Sequence, residues 1–182
     1  MKTNSTTVWN TLLTLALLLV PAYAADVARI DALAPDFELS DQYDQPVKLQ
    51  KLLGEVVLVI CSDREGSEFN FHWTEALKPK YLGDSRDRIK LVRVANLRSL
   101  PALFRGIAKG RFRAANDDGT SKLPVLLDWE GAVARLYGFR EGLPNLYLID
   151  RTGVLRHVTA GKGEPAELEQ LVHAIDRSLG DK

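Results

Sequence analysis

Cys61 is the only cysteine among 182 residues, so the side chain best suited to nucleophilic or redox chemistry has no partner within the chain. A lone thiol is a buried filler, a reactive thiolate, or half of a bond to another chain. Cys61 closes the apolar run Val56-Val57-Leu58-Val59-Ile60-Cys61 and stands three residues before Arg64. A guanidinium in reach would stabilise a thiolate, which makes Cys61 with Arg64 the candidate pair for a one-cysteine peroxidase or thiol exchanger. A thiol sealed at the end of a core strand would be inert instead. His72, His157 and His173 lie far apart with no ligand spacing, and no phosphate loop, Ser-His-Asp set or paired-carboxylate motif stands out. We therefore expect neither a metal nor another cofactor.

A second candidate is electrostatic. Between Arg88 and Arg113 there are eight basic residues and no acid. Such a run suits an anionic partner, lipid head groups or a glycan, with Arg105, Lys109, Arg111 and Arg113 as the contacts. The blander expectation is a solvated face paired in part with Asp117, Asp118 and Glu130. Aromatics supply a third candidate. Phe69 and Trp73 have the spacing of one buried helix stripe, whereas Phe71 points elsewhere and is a candidate exposed contact.

The start of the chain bears on all three. Lys2, a short apolar run from Leu12 to Val20 and the small-x-small site Ala22-Tyr23-Ala24 have the order of a secretory leader. The run is about half the ~20 residues a spanning helix needs. Cleavage after Ala24 would divide the chain into a leader, residues 1–24, and one domain, residues 25–182. That domain carries 23 basic and 24 acidic residues, a net charge of −1. Export to the periplasm or beyond disfavours nucleic acid as a partner, and no second long apolar run follows.

The elements that would position these residues alternate. Ala34 to Leu39 and Pro46 to Leu49 flank a polar turn, the pattern of a small hairpin. Glu55 to Cys61 reads as a central strand covered on both faces. Phe69, Trp73, Leu77 and Tyr81 mark a helix, Ile89 to Val94 a strand, and Leu100 to Ile107 a short helix with Leu100, Leu103, Phe104 and Ile107 on one side. Asn116-Asp117-Asp118-Gly119 signals a loop. Pro124 to Asp128 is a strand and Ala132 to Tyr137 a short helix. Leu146 to Asp150 and Val154 to Thr159 form a hairpin around Arg151-Thr152-Gly153. The last helix runs from Pro165 to the stop at Gly180. Alternation of this kind gives a largely parallel sheet between helices, with antiparallel strands at one edge.

Several of these segments resemble a known superfamily. Ala34-Pro35-Asp36-Phe37-Glu38-Leu39, the strand Val56 to Ile60, Asp128-Trp129-Glu130-Gly131 with Tyr137-Gly138, and Gly142-Leu143-Pro144-Asn145 through Gly153 are similar to the thioredoxin-like superfamily in its peroxiredoxin/redoxin (AhpC/TSA-like) branch. The resemblance implies a thioredoxin-like α/β fold with an N-terminal hairpin extension. It also implies a cis Leu143–Pro144 bond, and a loop whose backbone receives an extended peptide. Gly142, Leu143, Pro144 and Phe71 are then the candidate binding residues, and inherited sheet architecture is the alternative reading of the loop. The departure lies in the cysteines. Ungapped counting from Val56 puts the branch's thiols at Gly66 and Phe69. Asp63, Glu65 and Glu68 nearby would raise a thiol pKa. A looser resemblance, carried by Val94 to Ala115, is to the YtfJ-like periplasmic group. The expectation is thus an exported binding or chaperone-like protein without thiol chemistry, with redox work through Cys61 as the alternative. Mass spectrometry of the exported chain should find Ala25 as the first residue; an intact leader on exported protein would refute the cleavage reading.

Overall fold

The structure is a computed structural model that describes residues 27–82, 88–117 and 124–180. The leader and the Asp118-Gly119 half of the loop signal lie outside the described residues. β1 (Glu38–Ser40) and β2 (Pro46–Lys48) form a two-stranded antiparallel hairpin. A five-stranded sheet follows, built from β3 (Val57–Ser62), β4 (Lys90–Asn96), β5 (Val125–Asp128), β6 (Asn145–Ile149) and β7 (Leu155–Ala160) in the order β5-β4-β3-β6-β7. β3 runs parallel to β4 and β4 to β5, while β6 and β7 are antiparallel.

β3 is central because it is apolar on both faces, and all six of its residues are buried. Its side chains alternate between two cores. Val57, Val59 and Cys61 face Phe37, Val133, Tyr137 and Tyr147. Leu58 and Ile60 face Trp73, Leu77 and Tyr81 of α1 (Asn70–Tyr81), with Leu171 and Ile175 of α4 (Pro165–Leu179). The fourfold spacing expected for α1 thus holds for Trp73, Leu77 and Tyr81, while Phe69 is only half-buried. α3 (Ala132–Tyr137) covers the other face. Asp128, fully buried at the end of β5, starts it by accepting from the N–H groups of Ala132 at 2.8 Å and Val133 at 2.9 Å.

α2 (Arg105–Asp117) is arranged differently from the expected amphipathic segment. It extends ten residues past Ile107, preceded by a single tight turn at Ala102–Phe104. Polar bonds fasten it to the turn between β1 and β2. Lys109 pairs with Asp44, Arg113 donates to the Gln42 carbonyl at 2.6 Å, and Tyr43 donates to Asp117 at 2.6 Å. Gln42 in turn accepts from the Val125 N–H at 2.8 Å, anchoring the same turn to β5.

The β6–β7 connection is held by one carboxylate. Asp150 accepts from Arg156 at 2.7 Å, from the Thr152 hydroxyl at 2.6 Å, and from the backbone of Thr152 and Val154. Burial alone would raise its pKa, but these hydrogen bonds prevail and bring it down to about 2, below the ordinary 3.8. A carboxylate depressed in the folded state contributes stability above its unfolded pKa and loses it as pH falls through the folded one. Stability should therefore drop between pH 3.8 and about 2, and Asp150→Asn should flatten that part of a denaturation-versus-pH curve while lowering stability at neutral pH.

Candidate functional site

The site that the cysteine pattern pointed to lies where β3 ends and the helical segment begins. The chain leaves β3 at Ser62 and takes one tight turn at Gly66–Phe69 before α1. Ser62 donates to Asn70 at 2.7 Å, which ties the strand end to the helix start. Gly66, where counting places the family's first thiol, opens the turn and is buried. A Cβ there would sit 2.5 Å from the Leu143 carbonyl carbon and 2.6 Å from its oxygen. No side chain fits while that loop stays in place.

Asp63 organises the corner. One carboxylate oxygen accepts the Gly66 N–H at 2.7 Å and the other accepts the Gly142 N–H at 2.8 Å. Donors at a helix start are the groups that stabilise an anion, so a carboxylate built into the chain occupies that role. Sequence reasoning took Asp63 only as an unfavourable neighbour for a thiol. The signal available was an aspartate just ahead of the helical segment, where a short carboxylate can accept a backbone N–H a few residues on.

The loop from Gly142 to Pro144 departs from the expectation in one definite respect. The structure has no cis peptide bond among the described residues, so Leu143–Pro144 is trans. The cis bond implied by the resemblance is thereby corrected. With Gly66 instead of a cysteine, the segment before the proline settles directly onto the helix start. The loop's polar groups turn inward as well. Asn145 donates to the carbonyls of Leu143 and Arg140, both at 2.8 Å, and accepts from the Arg140 N–H. The Pro144 carbonyl accepts from Gly161, whose own carbonyl takes the Trp73 indole N–H at 3.0 Å. Pro144 is buried and Leu143 half-buried. The backbone expected to receive a peptide is engaged at Gly142, Leu143 and Pro144. Phe71 is exposed, at 65%, with His72 as its aromatic neighbour.

Cys61 lies within β3 rather than at the helix start, opposite Val94 and Asn145. It is fully buried. Burial pushes its thiol far above the usual range, and the carboxylates of Asp128 and Asp63 push the same way. The charges that act on the sulfur are thus negative, and Arg64 is an exposed residue of a neighbouring cleft instead. The Tyr147 hydroxyl, buried beside this core, has no hydrogen-bond partner among the described residues and is also held protonated by burial.

That cleft, about 770 Å³, opens at the C-terminal ends of β3 and β4. Asp63, Arg64 and Glu65 line it from β3's end, Asn96, Arg98 and Ser99 from β4's end, Arg135 from α3, and Glu141 from the loop ahead of Gly142. Three arginines and three carboxylates line it beside Ala134, Gly138 and Phe139, a mixed wall with charges of both signs. Among the described residues no group of His, Cys, Asp and Glu is arranged to hold a metal ion.

Three of the four expected contacts in the basic run are engaged within the molecule. Arg105 pairs with Glu130 at 2.9 Å and stacks over Trp129, and Lys109 and Arg113 are taken by Asp44 and its neighbours. Of the expected acids, Glu130 serves, Asp117 binds Tyr43 instead, and Asp118 lies outside the described residues. Arg111 alone of the four is exposed without an ion-pair partner among the described residues.

A five-stranded mixed sheet between helices, with a tight helix start facing a proline loop, defines a thioredoxin-like fold of the redoxin type. Residues 30–158 match the AhpC/TSA family, and the chain belongs to it. Among solved structures it is similar to a protein assigned as thiol:disulfide interchange protein DsbE from Chlorobium tepidum. Identity is 27%, over 84% of this chain and 99% of that one, with a TM-score of 0.63. A protein assigned as a disulfide isomerase from Bacteroides thetaiotaomicron shares 20% identity over 85% and 92%, with a TM-score of 0.64. The exposed lipoprotein thioredoxin Etrx1 from Streptococcus pneumoniae shares 20% over 78% and 98%, with a TM-score of 0.57. The last two likenesses are of fold. A comparison with curated proteins gave no match.

Two outcomes test the site. In the folded protein Cys61 should react with a thiol reagent at least ~100-fold more slowly than in denaturant; comparable rates would refute a sealed thiol. Gly66→Cys should lower stability by about 1–3 kcal/mol in chemical denaturation, because Leu143 must be displaced.

Proposed function

We propose that this protein is an exported, redox-silent member of the AhpC/TSA family that binds a charged ligand in the cleft beside the former thiol site. The observation that carries the reading is Asp63, whose carboxylate takes the donors at Gly66 and Gly142 that an anionic sulfur would use. Around it the chain has no cysteine to activate, and the one it has is buried with its thiol held protonated. Thiol exchange through Cys61 would need the sulfur to reach solvent and lose its proton against Asp63 and Asp128, and neither condition is supported. The peptide-binding or chaperone-like role expected at the Pro144 loop moves to the adjoining cleft, where Arg64, Glu65, Arg98 and Glu141 have no ion-pair partner among the described residues.

The cleft's volume falls in the usual range for ligand sites, roughly 300–1,000 Å³. Its equal complement of arginines and carboxylates favours a ligand bearing both charge signs, the chemistry of a short peptide with its termini and polar side chains.

The test has a negative and a positive arm. The folded chain should neither reduce insulin nor consume peroxide, and Cys61→Ser should change nothing in either assay. Peroxide turnover that vanishes in Cys61→Ser would overturn the reading. In calorimetric titration with mixed-charge tripeptides, Arg98→Ala and Arg135→Ala should each weaken binding by about tenfold or more, the loss typical of a charged hydrogen bond. Binding indifferent to both substitutions would place the ligand elsewhere.

A further inference from the structure

An amphipathic surface helix ordinarily turns its apolar stripe to the core. The segment from Pro101 through α2 does the opposite. Leu103 is 82% exposed, Ile107 60% and Phe104 45%, and Gly106 and Gly110 face open space beside them. The side toward the domain carries Arg105, Lys109 and Arg113, all bonded to Glu130, Asp44 and Gln42. Charge fixes this helix to the protein, and hydrocarbon points to solvent. Nothing in domain folding rewards that orientation, since the exposed leucine and isoleucine would gain by burial.

The apolar ridge is framed by positive charge. Arg111 lies one turn past Ile107, and Arg98 precedes Pro101; both are exposed and have no ion-pair partner among the described residues. The acids within reach of the segment are already committed, Glu130 to Arg105, Asp44 to Lys109 and Arg113, and Asp117 to Tyr43. What the surface offers outward is therefore hydrocarbon with guanidinium groups beside it and, among the described residues, no competing carboxylate. That pairing fits the boundary of an anionic bilayer, where apolar side chains enter the acyl layer and arginines meet phosphate groups.

We propose that the Leu103–Phe104–Ile107 ridge, flanked by Arg98 and Arg111, is a docking surface for an anionic phospholipid bilayer. The proposal is independent of the cleft reading, because no residue of the apolar ridge lines the cleft. Arg98 contributes to both, so the test rests on Ile107 and Arg111.

Because Cys61 is buried, the full chain carrying Leu103→Cys can be labelled at that position alone with an environment-sensitive fluorophore. A second protein labelled at Phe71→Cys reports on α1 instead and shares every other feature, including the leader. The expected result is a blue shift of the 103 probe with vesicles containing phosphatidylglycerol and not with phosphatidylcholine alone, reversed by salt and absent from the 71 probe. Arg111→Glu should weaken the vesicle titration about fivefold or more, and Ile107→Ser about tenfold. No shift, an equal shift with both vesicle types, or an equal shift at both probes would overturn the proposal. So would a shift that appears without vesicles: one that grows with protein concentration puts a second copy on the ridge, and one already present at all concentrations puts a segment of the same chain there.

Discussion

Two backbone N–H groups, one at the start of a helix and one in a loop from the far end of the domain, share a single carboxylate. Asp63 receives both, at 2.7 and 2.8 Å. That contact holds the β3 exit against the approach to β6, and it sets what the corner can do. A pocket of convergent N–H donors stabilises whatever anion occupies it. When the anion is a side chain of the protein, the donors are satisfied permanently and no reacting atom can use them. The absence of a cysteine at Gly66 and the closeness of Leu143 follow from the same arrangement. A loop can rest on the helix start only where there is no Cβ.

The buried thiol belongs to the other side of this logic. Cys61 points into the layer formed by Phe37, Val133, Tyr137 and Tyr147, where it fills volume as a small apolar group would. Among the described residues, the charges that act on it are the two carboxylates of Asp128 and Asp63. Family membership alone does not bring the chemistry with it. The scaffold that presents sulfur in relatives named for thiol exchange is retained, and the electrostatics that make sulfur reactive are inverted.

Much of this was readable from residue order. The unbroken apolar run of β3, the fourfold spacing of Trp73, Leu77 and Tyr81, and the Pro165 and Gly180 ends of α4 each follow from a local rule that tertiary packing did not contest. The corner was legible in what it lacked, since Gly66 and Phe69 are visible in the string. What filled it was not legible, because the Asp63–Gly142 bond spans the fold. The cis proline failed because a peptide geometry inferred from resemblance is not written in the residues themselves. The orientation of α2 was the least legible. Leu103, Phe104 and Ile107 have the spacing of a core stripe, and the helix is instead oriented by ion pairs to a turn some sixty residues earlier, which no periodicity encodes.

The stretch from Asp31 to Asp41 has a bearing on how these molecules meet one another. Its first part pairs with the outer strand at one margin of the sheet, through Leu33 opposite Val154 and the backbone bonds of Asp31 and Ala32 with Leu155. Its last part reaches the opposite margin, where Asp41 bridges Leu126. Unsatisfied strand borders are where foreign strands add and where aggregates nucleate. A single length of chain thus hems the start of β7 on one side and part of β5 on the other, which shortens the stretch of each border left open to a strand from another molecule.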